Sequence, residues 1–316
     1  MTDILTITLN PALDVSTSCA HLQSNHKLRC AHAERFPGGG GINVARVVHR
    51  LGGDCLALYL AGGLVGQRLQ ALIDAEQVPS HCLPIADETR ESFSVLETGT
   101  GREYRFVLPG PDIATTEWRA CIDYLASVAP APKFVVLSGS LPPTLAIDSY
   151  AQLARLARAR GCKVVLDTSG APLAAALETG VYLIKPSLRE LAELTGAPLE
   201  DEVQWCAAAQ LLVRGGQAEL VALSLGERGA MLLSNQGAWR ADAVRVDVKS
   251  TTGAGDSFLG AMVWALNAGT ALPEAFRHGV AAGSAALLHA GTTLCRVEHV
   301  AQMLEQVRVY ALAEPA

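Results

Sequence analysis

The chain reads as an α/β protein in which a mostly parallel sheet is covered by helices on both faces, with a small second sheet projecting from it. Three observations predict this. From about residue 120 onward, short apolar runs alternate with amphipathic ones. The N-terminal third instead alternates polar with apolar residues around a glycine turn. The 316 residues, 50% of them hydrophobic, also suffice for a sizeable core, so a disordered or fibrous chain is excluded.

At the N-terminus, MTDILTITLN alternates apolar residues and has an acid at position 3, so a first strand is expected there and not a signal peptide. Extended pieces follow near residues 13–18 and 28–36. After four glycines, Ile42, Ala45, Val48 and Leu51 fall at helical spacing. The segments 91–97 (ESFSVLE) and 102–108 (REYRFVL) flank a turn at 98–101 and predict a hairpin with one solvated face. In it Arg105 alternates with Tyr104 and Phe106, and is expected to share a face with Glu103 only if the strand is irregular. The runs KFVVLSG, DSYAQLARLARAR, KVVLD, PLAAALE, VYLIKP, VQWCAAAQLLVR and ELVALSLG then set the βαβ rhythm. Gly161 and the Gly215–Gly216 pair stand where two helices stop. An alternating run, AVRVDV, precedes a mostly helical last third, with helices expected at 254–268, 273–289 and 297–311. One domain, 1–316, is expected, with the small sheet formed by insertions at about 13–36 and 88–109.

A net charge of −6 offers no broad basic surface, which disfavours nucleic acid as a partner. No apolar stretch is long enough to span a membrane. Eight scattered cysteines without a CxxC support neither a zinc site nor a redox motif, and read as buried reduced thiols of a cytoplasmic protein.

Two glycine-rich segments carry the chemistry. In the first, residues 250–257 (STTGAGDS), a glycine turn opens a helix, so backbone N–H groups converge at the positive end of the helix dipole and form an anion hole. Asp256 in the first turn is either a reacting carboxylate or one that only complements the dipole. Phe258 breaks the GxGxxG fingerprint, and no lysine follows a glycine, so neither a dinucleotide fold nor a Walker A loop is indicated. The second segment, PGGGGINVAR from Pro37 to Arg46, runs straight into a patterned helix, which favours close backbone approach to a ligand over a flexible linker. Asn43 then presents its amide to sugar hydroxyls. Lys27, Arg29, Arg90, Arg102 and Arg105 form a cationic set that spacing alone does not identify as a phosphate site.

With TLNPALD, SGSLPP, LDTSG, IKPSLREL and SLGERGA in order along the chain, GGGGINVAR and TTGAGDSFLGAM resemble the two signatures of the PfkB, or ribokinase-like, family of carbohydrate kinases. NPALD, KLRC, EYRFVLPG and AAGSAALLHAGTTLC are most similar to its 6-phosphofructokinase branch. The resemblance implies a doubly wound domain with a β-sheet lid, two lids packing in a homodimer. It implies Asp256 as the base, with the Gly253, Ala254 and Gly255 backbone at the transferring phosphoryl group. It also implies that Asp14, Gly39, Gly40, Asn43 and Ser140 bind sugar, and that Lys27, Arg29, Arg90 and Arg105 are candidates for its phosphate. Lys185, Ser224, Gly226 and Gly229 would contact ATP, and Ser250, Thr252, Ala286, His289, Gly291 and Thr293 would surround a monovalent cation, potassium. Where the family often has Asn-x-x-Glu, this chain has Ser187 to Glu190. Glu190 would hold magnesium through water, whereas Ser187 reads equally as a helix N-cap. The implied reaction is ATP-dependent phosphorylation of the 1-hydroxyl of fructose 6-phosphate. The alternatives are 1-phosphofructokinase, tagatose-6-phosphate kinase and a non-catalytic sugar-phosphate sensor. In the 1-phosphofructokinases and tagatose-6-phosphate kinases a lysine commonly interrupts the glycines, as GKGIN, and here it is missing.

Overall fold

The computed structural model describes residues 2–312; Met1 and residues 313–316 of the expected domain lie outside the described residues. The first strand, β1 (Ile4–Thr8), is buried along its whole length. It is followed by β2 (Ala12–Cys19), β3 (Glu34–Gly38), α1 (Gly40–Arg50), β4 (Cys55–Ala61), α2 (Gly63–Ala75) and β5 (Ser80–Pro84). The predicted hairpin is β6 (Arg90–Glu97) and β7 (Arg102–Val107). Next come α3 (Thr115–Ser127), β8 (Phe134–Ser138), α4 (Ser149–Ala159), β9 (Lys163–Asp167), α5 (Gly170–Leu177) and β10 (Val181–Ile184). Then follow α6 (Leu188–Thr195), α7 (Glu202–Arg214), β11 (Ala218–Ser224), β12 (Ala230–Ser234) and β13 (Gly237–Ala241). The chain closes with α8 (Ala254–Asn267), α9 (Leu272–Ala286), α10 (Val297–Gln306) and β14 (Val309–Ala311).

Ten strands form one sheet in the order β14-β13-β12-β11-β10-β9-β8-β1-β4-β5. The pairs from β11 to β5 are parallel, and β12, β13 and β14 extend one edge antiparallel. Alternate residues serve opposite faces. Thus Ile4 of β1 joins the core under α1, α2, α8, α9 and α10, while Leu5 and Ile7 join the core under α3 to α7. Burial on both sides is why these strands read as continuous apolar runs.

The second sheet is ordered β3-β2-β6-β7. Phe93 pairs with Phe106, and Val95 with Tyr104, across β6 and β7. Phe93, Tyr104 and Phe106 are all exposed, so the face that carries the hairpin's aromatic residues meets solvent among the described residues. Ser94 pairs with Arg105 on the other face. Residues two apart in a regular strand share a face, so Glu103 and Arg105 turn the same way without any irregularity, contrary to the sequence expectation.

Other boundaries also differ. The last helix stops at Gln306, because Val307 plugs the core and Val309–Ala311 pairs with β13. AVRVDV is not a strand, since that sheet edge is already taken by β14. Segment 28–33 stays outside the small sheet. All eight cysteines are free, but Cys30 is exposed and Cys82 and Cys206 are only partly covered.

The four glycines are needed by the protein's own packing. A Cβ on Gly38 would lie 2.4 Å from the Asp14 carboxylate, on Gly40 2.1 Å from Ser138 Oγ, and on Gly41 2.5 Å from Thr8 Oγ1. Gly39 precedes α1 at φ 121°, a conformation that side chains rarely adopt. The stretch is thus squeezed between β1, β2 and β8, which places the start of α1 at the end of the large sheet.

Candidate active site

Parallel strands put their carboxyl ends on one edge, and there β9 and β10 present neighbouring charges. Leu166 pairs with Ile184, so the residues that follow, Asp167 and Lys185, meet with Lys185 Nζ 3.3 Å from Asp167 Oδ1. Lys185 is 8% exposed. Burial favours its neutral form, but the charges of Asp167, Asp256 and Glu190 outweigh burial and hold it as an ammonium. Burial, then the Asp256 and Glu190 charges, push Asp167 up to about 6 against the pull of Lys185.

Opposite this pair, α8 begins. Gly253 takes φ 77° before the first helical residue, and Ser257 N is the first amide to bond back along the helix, to Gly253 O. The preceding N–H groups of Gly255 and Asp256 therefore point free of the helix. A Cβ on Gly255 would lie 3.0 Å from Lys185 Nζ, so the ammonium stands over the same backbone. Asp256 Oδ2 accepts a 2.8 Å hydrogen bond from Asn43 Nδ2 of α1. Burial raises its pKa, while Asn43 and Lys185 oppose that rise.

Under the small sheet, Asp14 accepts a 2.7 Å hydrogen bond from Thr292 Oγ1, and burial raises its pKa. Arg105 lines the cleft between Asp14 and Thr252. Arg90 donates to Leu108 O and Asn10 O, and its Nε is buried without a partner. Asn10 donates to Ser140 Oγ at 3.1 Å, leaving its own buried Oδ1 unpartnered. Gly39 and Gly40 stand at the start of α1 and Asn43 in its first turn, where its amide meets Asp256. Lys27 and Arg29, by contrast, are exposed, and among the described residues their side chains make no hydrogen bond or ion pair.

A cavity of about 1200 Å³ opens beside Gly255 and is lined by Lys185, Ser224, Gly226, Gly229, Val246 and Ala254, among others. Lys185, Ser224, Gly226 and Gly229, the residues expected to contact ATP, thus line one and the same cavity. Ser187 caps α6, and Glu190 Oε2 accepts from both Ser187 N (2.7 Å) and Ser187 Oγ (2.9 Å). The N-cap reading of Ser187 thus describes the observed contact.

The residues expected around a monovalent cation fall in two adjoining loops. Ser250 Oγ donates to Glu103 of the small sheet at 3.0 Å, and Thr252 Oγ1 is buried without a partner. Lys249 N bonds Leu287 O, and a Cβ on Gly253 would meet Leu294, which joins the loops. In the second loop, Ala286 O accepts from His289 N, Gly291 lies against Phe36 and Ser16, and Thr293 O accepts from Arg50. The His289 ring stacks on His299 at 5.0 Å and stays turned to it. The Thr252 hydroxyl is thus left free, whereas the Thr293 carbonyl expected at a cation is already taken by the Arg50 guanidinium. Among the described residues no cluster of three His, Cys, Asp or Glu side chains fit to bind a metal occurs. No helix of the described residues is long and apolar enough to cross a membrane.

Asp256 stands between the cleft of Asp14 and Arg105 and a nucleotide-sized cavity, and fold and site together define a phosphotransferase. The chain belongs to the pfkB family of carbohydrate kinases, whose pattern it matches over residues 6–299. It is 44% identical over 302 residues to the ATP-dependent 6-phosphofructokinase isozyme 2 of Mycobacterium tuberculosis, covering 96% of this chain and 89% of that protein. To a 1-phosphofructokinase of Borreliella burgdorferi it is 32% identical, with 97% and 98% covered. Phosphofructokinase-2 of Escherichia coli, crystallised in complex with potassium, superposes with a TM-score of 0.92 at 37% identity, covering 97% of this chain and 99% of that one. Kinases of this family take their phosphoryl group from ATP with a divalent metal.

Asn10, Glu103, Asp167 and Thr292 also stand at the site, although sequence reasoning did not single them out. NPALD, EYRFVLPG, LDTSG and HAGTT contain them, but nothing in those segments says which residue faces inward.

Proposed function

We propose that the protein transfers the γ-phosphoryl group of ATP to the 1-hydroxyl of D-fructose 6-phosphate, giving fructose 1,6-bisphosphate and ADP. Asp256 takes the hydroxyl proton, the freed oxygen attacks the γ-phosphorus, and the bond from that phosphorus to the ADP oxygen breaks. The Gly253–Gly255 backbone and Lys185 stabilise the charge of the moving group. Asp14 and Asn43 hold the sugar hydroxyls, while Arg105 and Arg90 face its phosphate. Magnesium held through water near Glu190, with potassium between the 250–252 and 286–293 loops, would neutralise the phosphates and order the anion hole.

The observation that carries the choice of substrate is the crowding at Gly40. A Cβ there would come within 2.1 Å of Ser138 Oγ and 3.0 Å of Gly139 N, so this site has no room for the lysine of the GKGIN pattern. The exposed apolar face of Phe93, Tyr104 and Phe106 supports a homodimer through the lid. Free thiols suit a cytoplasmic setting.

In a coupled assay with a panel of phosphosugars, kcat/KM for fructose 6-phosphate should exceed that for fructose 1-phosphate by at least about tenfold. If fructose 1-phosphate is the better substrate, the acceptor assignment is wrong; no turnover of any sugar, with binding retained, would return the sensor reading. Arg105→Ala should lower kcat/KM for fructose 6-phosphate by about 10- to 100-fold and barely touch unphosphorylated fructose, because only the former loses a charge-assisted contact. Equal losses on both would remove Arg105 from the phosphate.

A further inference from the structure

A guanidinium is expensive to bury, yet Arg46 on the inner side of α1 is 1% exposed. It lies among Ile42, Ala45 and Val48, where the helical pattern calls for an apolar residue. Its Nε and Nη2 face the Glu76 carboxylate, with Nη2 2.6 Å from Oε1. Its remaining nitrogen, Nη1, bonds three separate segments: Pro37 O at 3.1 Å, Asn43 Oδ1 at 3.0 Å and Thr292 O at 3.0 Å.

The Asn43 contact has a directional consequence. An amide has one acceptor end and one donor end, and a guanidinium can only donate. Arg46 therefore fixes Oδ1 toward itself, which leaves Nδ2 as the end presented to Asp256. With the amide turned over, an oxygen would face the Asp256 carboxylate and repel it. Through Thr292, whose hydroxyl bonds Asp14, the same nitrogen also steadies the second carboxylate of the acceptor cleft.

We propose that Arg46 is a positioning residue for catalysis, setting the Asn43 amide so that it orients Asp256 and holding Thr292 on Asp14. The proposal rests on the reading of Asp256 as the base. Arg46 touches no substrate, and its effect reaches the reaction through Asn43 and Thr292.

A double-mutant cycle on kcat tests it. Arg46→Met should lower kcat by at least about tenfold and raise KM for the phosphosugar, with KM for ATP unchanged within about twofold, a split that general loosening of the fold would not produce. In an Asn43→Ala background the same substitution should cost less than about twofold in kcat. Equal losses in both backgrounds, or an Asn43→Ala enzyme with normal kcat, would overturn the proposal. If Arg46→Met does not fold, Arg46→Lys carries the cycle, because it keeps a charge opposite Glu76 while giving up the fork that reaches three segments. Glu76→Gln supplies an independent arm: it weakens the ion pair and should lower Tm but leave kcat within about twofold. A kcat loss there as large as that of the Arg46 variant would assign the effect to the ion pair. Failure of the base reading is seen separately, as normal kcat in Asp256→Asn; additive losses in the cycle with Asp256→Asn inactive would sink the Arg46 proposal alone.

Discussion

Asp256→Asn should lower kcat by about 10² to 10⁴ while leaving ATP and sugar binding nearly intact, because an amide fills the same space but cannot accept the proton. Asn43 Nδ2 would then face an amide, which has an oxygen to offer it, so the local packing survives. Single-turnover rates together with equilibrium binding of each substrate would check this. Near-normal kcat would leave Asp256 with only the helix dipole to complement. The pH dependence of the wild type follows from the same group: burial raises the Asp256 pKa above its ordinary 3.8, so kcat should fall on the acid side at a pH above that value as the base becomes protonated.

Much of this site follows from how parallel strands end. Continuous apolar runs announced the strands, and glycines marked the stops, because both signals are local. Asp256 and Asn43 stood out for the same reason, each lying within a glycine-rich stretch that opens a helix. Asp167 did not, since its partner Lys185 comes one strand later and the pairing depends on β9 and β10 being neighbours in register. Arg46 was hidden in the opposite way, as a charged residue inside an apolar stripe whose reason lies in Glu76 on α2 and Thr292 far along the chain. Alternation gives the hairpin two faces but does not say what each one meets. Glu103 on one face reaches Ser250, while Phe93, Tyr104 and Phe106 on the other are exposed among the described residues. AVRVDV alternates like a strand, but the edge it would have joined is filled by Val309–Ala311, a choice made by tertiary packing.

The glycine run shows how one local signal can have two causes. Close approach was expected from the sequence, with a ligand as the approaching partner. The atoms that fill the Cβ positions belong to Thr8, Asp14 and Ser138. Glycine at these positions lets β1, β2 and β8 converge on the start of α1, and the convergence in turn brings Asn43 to Asp256. Packing and chemistry therefore make the same demand on Gly38 to Gly41.

Lys185→Met should damage both activity and stability, and the two losses separate on removing its partner. The substitution leaves Asp167 at the end of β9 with no cation beside it and takes from Asp256 one of the charges that hold it ionised. Breaking a buried pair on one side costs about 3–5 kcal/mol, whereas replacing both members is often close to neutral. Asp167→Asn combined with Lys185→Met should thus regain most of the lost Tm. Activity should not return, because losing a donor aimed at the transferring group costs about 10² to 10³ in kcat whatever becomes of Asp167. The stability loss also carries a sign in pH. The folded-state pKa of Asp167, about 6, lies above its ordinary 3.8, so the group binds its proton more tightly in the folded protein than in the unfolded chain. Its contribution is most favourable at low pH and is lost as pH rises through the folded value. Without Lys185 that value climbs further, so the Tm gap between wild type and Lys185→Met should be wide at pH 8 and narrow at pH 5, where Asp167 is protonated in both. Thermal melts across this range measure the gap. A gap that widens toward acid would mean that Lys185 does not act on stability through Asp167, and a double variant that recovers kcat would mean that Lys185 serves only to neutralise Asp167 and has no part in phosphoryl transfer.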